Sequence, residues 1–320
     1  MNKIVRWLIP QTYKNDYQFY RQWITSSWIK NNGKVKKGIE IPLKLRYILG
    51  KIKFIDYIIP NKLRKDKALI VCCGAHPNYT AWPYMYNHEI IPIIWDCWPK
   101  YHRELLNSIK RNKIQTIFCT SSQTRDLIKK DLPYVNSFWI PEGIDIKAYK
   151  MGSNLKDRKI DILELGRKLE WVHNGIKEFN KDSKYNHLYS QSNKLLFKDF
   201  EELTDGLANA KITICYPRCD THPEIAGNIE TLTQRYWECM LSGTLIVGRA
   251  PKELIDFCGY NPVVELSSNK FEIELENILN NIENYQSLCN TNRDFAINNA
   301  SWDLRIKYIK DVLIKLGYSV

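Results

Sequence analysis

The chain has no uninterrupted run of about 18 apolar residues, and therefore no segment that predicts a membrane-spanning helix. It has no Cys-x-x-Cys pair, and its nine cysteines are an odd number. Cys72, Cys73, Cys119 and Cys215 sit inside apolar runs. This pattern argues against a disulfide framework and predicts buried free thiols in a reducing compartment. The opening stretch MNKIVRWLIPQTY is broken by Pro10 before a secretory apolar core can form. Together these absences predict a cytoplasmic protein. There is also no internal repeat, no low-complexity segment and no recognised nucleic-acid-binding module.

The charge that is present is unevenly shared. Residues 1–150 carry 26 Lys and Arg against 11 Asp and Glu, a net of +15, whereas the remaining 170 carry 21 against 24, a net of −3. With 320 residues, more than one ordinary compact domain holds, this asymmetry predicts two domains with different partners. An anionic membrane surface, a phosphorylated substrate or nucleic acid would each suit the basic half, and a solvated Lys-rich surface would require none of them.

Near-continuous apolar runs, as opposed to strict alternation, predict parallel strands covered on both faces. They occupy 3–9, 68–73, 90–95, 114–119 and 137–140, and again 160–165, 195–197, 212–216, 244–247 and 263–266. Helical patterns over 122–131, 199–210, 231–242 and 271–284 alternate with them. The fold class is α/β with two doubly wound sheets, divided in the polar stretch 145–158. Residues 301–318 form an amphipathic helix, with Ser301 able to cap it and Trp302, Ile306, Ile309, Val312 or Leu313 and Leu316 at helical spacing.

In doubly wound sheets ligands bind beyond the carboxyl ends of the strands, and four segments of the second half reach that edge. DILELGRKLEW (161–171) is a buried strand ending in Gly166-Arg167, where a glycine lets the backbone approach a ligand and an arginine can clamp phosphate oxygens. Residues 195–218 end in Tyr216-Pro217-Arg218, and GTLIVGRAPKELIDF (243–257) ends its strand at Gly248-Arg249. The fourth, IETLTQRYWECMLSGT (229–244), follows the turn Gly227-Asn228. A helix from about Thr231 offers free N–H groups and a positive dipole end, a ready anion site with Glu230 at its mouth. Glu238, eight positions on, projects about 80° from Glu230. Cys215, Cys219 and His222 have a spacing that fits no common structural zinc site and lack a fourth ligand.

The order of these segments resembles the donor-binding half of a GT-B fold glycosyltransferase. The likeness is to nucleotide-sugar-dependent transferases with a Glu-x7-Glu signature before a small-residue-Gly motif, here Glu230-TLTQRYW-Glu238 and CMLSGT. The form Arg235-Tyr236-Trp237-Glu238 followed by Gly-Thr also resembles capsule and spore-coat transferases. FWIPEGID (138–145), DILELGR and SWDLRIKYIKDVL resemble the family's linker entry, its strand-Gly-Arg and its terminal helix. The likeness covers about residues 137–315.

The resemblance implies two Rossmann-like domains facing a cleft: an acceptor-binding domain over 1–148, a donor-binding domain over 149–300, and a helix over 301–320 packing back on the first. It implies that Glu238 holds the donor ribose, that Glu230 lies near the donor sugar, and that the N–H groups of Thr231 and Leu232 hold the diphosphate. Arg167, following Gly166, would neutralise the diphosphate as the bond to the anomeric carbon breaks. Lys168, Arg218, Arg235 and Arg249 are further phosphate candidates. Two departures stand out: Thr231-Leu232-Thr233 replaces the usual Gly-Phe-Gly, and His173-Asn174 occupies the region of the family's phosphate-binding lysine.

In the first half, the loops 72–82 and 93–102 place His76 and Asp96 at strand ends beside Trp82, Trp95 and Trp98. Either can serve as a base in an inverting enzyme, ahead of Tyr79 or His102. The retaining course implied by the glutamate pair needs no such base. Basic-aromatic stretches over 13–37 and 43–67 suit peripheral contact with an anionic inner membrane leaflet and lipid-linked acceptors.

The expected function is transfer of a sugar, with retention, from a UDP- or GDP-sugar to a saccharide or lipid-linked acceptor in surface polysaccharide or glycolipid assembly. The resemblance implies no metal and no other cofactor, and no nucleic-acid partner is expected. The alternatives are a non-catalytic basic nucleotide- or nucleic-acid-binding protein, and a sugar-nucleotide epimerase of the same fold.

Overall fold

A computed structural model of the chain describes residues 3–10, 19–36, 67–75, 77–81, 84–86, 88–191 and 195–320. It divides into two compact units: Met1–Pro141 with Ile225–Ile229 and Trp302–Val320, and Glu142–Glu224 with Glu230–Ser301.

The first unit is built on a parallel sheet of β1 (Lys3–Ile9), β2 (Lys34–Val35), β3 (Lys67–Cys73), β4 (Glu89–Ile94), β5 (Thr116–Cys119), β6 (Asn136–Trp139) and β11 (Tyr318–Ser319). The order is β11-β1-β3-β4-β5-β6, with β2 also pairing β1. Alternation sorts β3 between two cores. Leu69, Val71 and Cys73 join Leu105, Ile109 and Ile128, which lie on α3 (Pro99–Arg111) and α4 (Ser122–Asp131). Ala68, Ile70 and Cys72 join Trp28 of α1 (Phe19–Lys30) and Trp302, Ile306 and Ile309 of the last helix. Between β3 and β4 runs the short helix α2 (Pro77–Ala81). Burial on both faces explains why β3 and β4 read as unbroken apolar runs.

The second unit carries a four-stranded parallel sheet of β7 (Ile160–Glu164), β8 (His187–Tyr189), β9 (Ala210–Cys215) and β10 (Leu245–Gly248), in the order β8-β7-β9-β10. After β8 the chain crosses to the other side of β7, so the winding reverses between β7 and β9. The helices are α5 (Glu170–Phe179), α6 (Phe200–Ala208), α7 (Arg218–Thr221), α8 (Pro223–Ala226, with the first unit's residues from Ile225), α9 (Gln234–Ser242), α10 (Lys252–Cys258), α11 (Phe271–Asn280) and α12 (Gln286–Asn299). Asp199 caps α6 through the Glu202 N–H at 2.9 Å. Gly243 ends α9 in the left-handed conformation at φ 63°.

Three elements differ from the sequence expectation. Residues 195–197 form no strand; the edge strand is His187–Tyr189, whose half-buried His-Leu-Tyr carries no continuous apolar run. Residues 263–266 contribute only the Val264 bridge to Val247. The helix expected from 231 begins at Gln234, because the Leu232 N–H is donated to the buried Glu253 carboxylate.

The last helix, α13 (Trp302–Lys315), buries Trp302, Ile306, Ile309, Val312 and Leu313 within the first unit, while Leu316 beyond it is exposed. In the second unit Trp237 is fully buried, donates to the Glu142 carbonyl at 2.9 Å, and packs with Phe257 and Phe295. Trp237 is therefore a core residue. No helix among the described residues is long and apolar enough to cross a membrane.

Candidate functional site

The carboxyl edge of the four-stranded sheet gathers the residues that bear chemistry. At the β7–β9 reversal, β7 delivers Gly166 at φ 79°, with open space where a Cβ would stand. The glycine there answers a backbone requirement, and Arg167 beyond it is exposed. Lys168 is committed to the edge strand: its ammonium donates to the Ser190 carbonyl at 2.8 Å and lies 4.3 Å from the centre of the Tyr189 ring. From the adjacent β9, Tyr216 and Pro217 lead to the partly exposed Arg218.

After β10 stands a second Gly-Arg pair with different surroundings. Gly248 sits at φ 142°, and a Cβ there would lie 2.1 Å from the Cys215 carbonyl oxygen. The Arg249 guanidinium grips Asp220 through two hydrogen bonds of 2.6 and 2.7 Å and also pairs with Glu230. Its pKa is raised, first by the hydrogen bond to Asp220 and, against the opposing effect of burial, by Glu230. Arg249 is thus saturated by carboxylates, which removes it from the group of ready phosphate cations.

The two glutamates of the Glu-x7-Glu stretch have separate partners. Glu230 pairs with Arg249 and accepts from the Lys252 N–H at 2.6 Å, so its carboxylate serves the start of α10. Glu238 lies within α9, its side chain 11 % exposed, paired with Arg235 and accepting from the Tyr149 hydroxyl at 3.1 Å. Burial, then the Glu238 charge, push the Tyr149 phenol well up. Thr231 is buried, and the Leu232 N–H is taken by Glu253, so the expected diphosphate contact through that N–H is replaced by an internal one.

At the root of the Gly166-Arg167 turn is a group the sequence reading passed over. Glu164 Oε1 lies 2.7 Å from both His173 Nδ1 and His187 Nε2. Burial pushes the Glu164 carboxyl up, and the hydrogen bonds from His187 and His173 outweigh it, leaving the pKa lowered. An acidic residue closing an apolar strand run, DILEL, was the available signal. Cys215, Cys219 and His222 do not converge: Cys215 faces Cys239 at 3.7 Å, Cys219 lies on Arg249 and Asp220, and His222 is bonded to Thr221. All nine cysteines are free thiols.

In the first unit Asp96, just past β4, is exposed and adopts φ 48°, a left-handed conformation that aspartate tolerates better than most residues. His76, Trp82, the Tyr79 side chain and most of the basic-aromatic stretches 13–37 and 43–67 lie outside the described residues. His102 is bound to Asp131 at 2.7 Å.

No protein-family model and no curated protein sequence matches this chain. Solved structures do. A sucrose-phosphate synthase from Thermosynechococcus elongatus superposes with a TM-score of 0.65 at 12% identity, over 98% of this chain and 99% of that one. HepE from Anabaena, in complex with UDP and glucose, gives 0.63 at 8% identity, over 98% and 100%. An α-glucosyltransferase in complex with UDP and a 13-mer DNA gives 0.57 at 11%, over 98% and 99%. The fold is that of the GT-B glycosyltransferases, two parallel Rossmann-like sheets in one chain.

Proposed function

We propose that the chain is a glycosyltransferase that takes a sugar from a UDP- or GDP-sugar. The observation that carries this reading is the winding reversal of the second sheet, which sets Gly166-Arg167 and Arg218 at adjacent strand ends in a fold shared with UDP-bound transferases. Open sheets of this kind bind nucleotides at such reversals because the strand ends leave a crevice lined by backbone N–H groups.

In this reading Arg167 and Arg218 meet the diphosphate and stabilise it as a leaving group. Glu238, oriented by Tyr149 and Arg235, accepts from the donor ribose hydroxyls. Glu230, through Arg249 and the start of α10, shapes the wall near the donor sugar. The transfer proceeds with retention and without a metal ion at the reacting centre; His76 and Asp96 serve the acceptor. That acceptor is a saccharide or lipid-linked saccharide in surface polysaccharide or glycolipid assembly, met through the basic first half at an anionic membrane face.

A thermal-shift series over nucleoside diphosphates and their sugars tests the reading and identifies the base. UDP or GDP is expected to raise the Tm of the wild type in a saturable way, since a ligand that binds only the folded state stabilises it. Arg167→Ala is expected to lose that rise while keeping its unliganded Tm. Equal stabilisation of wild type and variant, or none of the wild type by any nucleotide, would discard it.

A further inference from the structure

Glu164, the last residue of β7, His173, early in α5, and His187, the first residue of β8, converge from three different elements. Their ligand atoms all lie within 4.8 Å of one another, and among the described residues no other group of three acidic, histidine or cysteine side chains does so. The side chains of Glu164 and His187 are 3 % and 5 % exposed, while His173 keeps 16 %, which leaves one solvent-facing side to the cluster. Two imidazole nitrogens and a carboxylate oxygen are thus aimed at one point.

We propose that this cluster is a zinc-class divalent metal site that ties β7, β8 and α5 together beneath the Gly166-Arg167 turn. Two imidazoles and one carboxylate form a borderline donor set, suited to Zn2+ and its spectroscopic substitute Co2+ and poorly matched to Ca2+ or Mg2+, which take all-oxygen shells. Ligand atoms about 2.0–2.2 Å from a tetrahedral ion are roughly 3.3–3.5 Å apart, so the 2.7 Å hydrogen bonds open by less than about 1 Å to admit it. Water entering beside His173 supplies the remaining position.

The proton balance is simple. Each neutral imidazole that now donates to Glu164 must offer that nitrogen's lone pair to the ion. Its single proton then moves to the distal nitrogen, Nε2 of His173 or Nδ1 of His187, with no net release. Imidazolium forms would each lose one proton on binding the ion. The facing charges are Lys168, on the Tyr189 ring that packs against both imidazoles, and Glu164 itself. This assignment is independent of the donor-site reading.

Untagged full-length chain, stripped with a chelator, is titrated with Zn2+ by calorimetry and with Co2+ by visible absorption. The expected result is one equivalent of zinc, ligand-field bands of a four- or five-coordinate Co2+ that zinc abolishes, and a Tm rise reversed by chelator. His173→Ala and His187→Ala are each expected to weaken zinc more than about 100-fold, beyond the 10–100-fold that losing an outer partner costs. His222→Ala should bind as the wild type does. Metal-free circular dichroism shows that each variant is folded, and the zinc-dependent Tm rise of each is read against its own metal-free Tm. Absence of stoichiometric zinc, or zinc binding retained in both cluster variants, overturns the assignment. Nucleotide stabilisation read in the same samples bears only on the donor-site reading.

Discussion

The second sheet ends two of its strands in the same dipeptide, and the two copies have opposite fates. Gly166-Arg167 after β7 has open space at its glycine and an exposed arginine. Gly248-Arg249 after β10 has a carbonyl oxygen where a Cβ would go and an arginine gripped by Asp220 and Glu230. One pair faces solvent; the other uses its charge to bind neighbouring segments of its own chain. The dipeptide at a strand end therefore does not by itself fix what its arginine does; for Arg249 the carboxylates that tertiary packing brings to it do.

Removing Arg249 gives the largest expected effect. Arg249→Ala leaves Asp220 and Glu230 facing each other without their cation and should cost about 3–5 kcal/mol, read by chemical denaturation. Arg249→Lys should recover only part of this, because an ammonium cannot reproduce the two-pronged grip on Asp220. A loss below about 1 kcal/mol would erase the contrast between the two pairs.

The glycines sharpen the comparison next. Gly166→Ala should cost roughly 1–2 kcal/mol, the penalty of a side chain at positive φ in open space. Gly248→Ala should cost more, since the Cys215 carbonyl belongs to β9 and cannot move aside. Equal Tm losses would show that the close approach after β10 is relieved without strain.

Arg167→Ala should change stability by no more than about 0.5 kcal/mol, the usual range for a surface substitution, while removing nucleotide stabilisation. A loss of stability comparable with that of Arg249→Ala would place both arginines in the structural class.

The smallest expected effect is a pH dependence at the root of the first turn. The lowered pKa of Glu164 means that its charged form contributes stability above the ordinary value of 4.5, and that this is lost as pH falls through the folded-state value. Glu164→Gln should flatten this acid limb of the denaturation midpoint. An unchanged acid limb would show that the histidines do not hold the carboxylate charged.

Much of this architecture was legible in residue order. Apolar runs at β3, β4, β7 and β9 announced buried parallel strands because both their faces are covered. Ser121, whose hydroxyl accepts from the Thr124 N–H, caps the helix expected at 122–131, where the structure places it. The edge strand His187–Tyr189 was not legible, since a half-buried strand of three residues has too few positions to show a period. Nor was the late start of α9, which depends on a buried carboxylate 21 positions away in sequence.

The sequence by itself determined the fold class, the two-part charge distribution and which strand ends would carry glycine and arginine, because these follow from local pattern and composition. Only the tertiary structure decided which side chains meet there. It gave Glu230 to Arg249 and the start of α10, Glu238 to Tyr149 and Arg235, and Glu164 to two histidines. The physical reason is range: propensity and periodicity act over a few residues, whereas a charge is bound by partners that chain crossings bring together from far along the sequence.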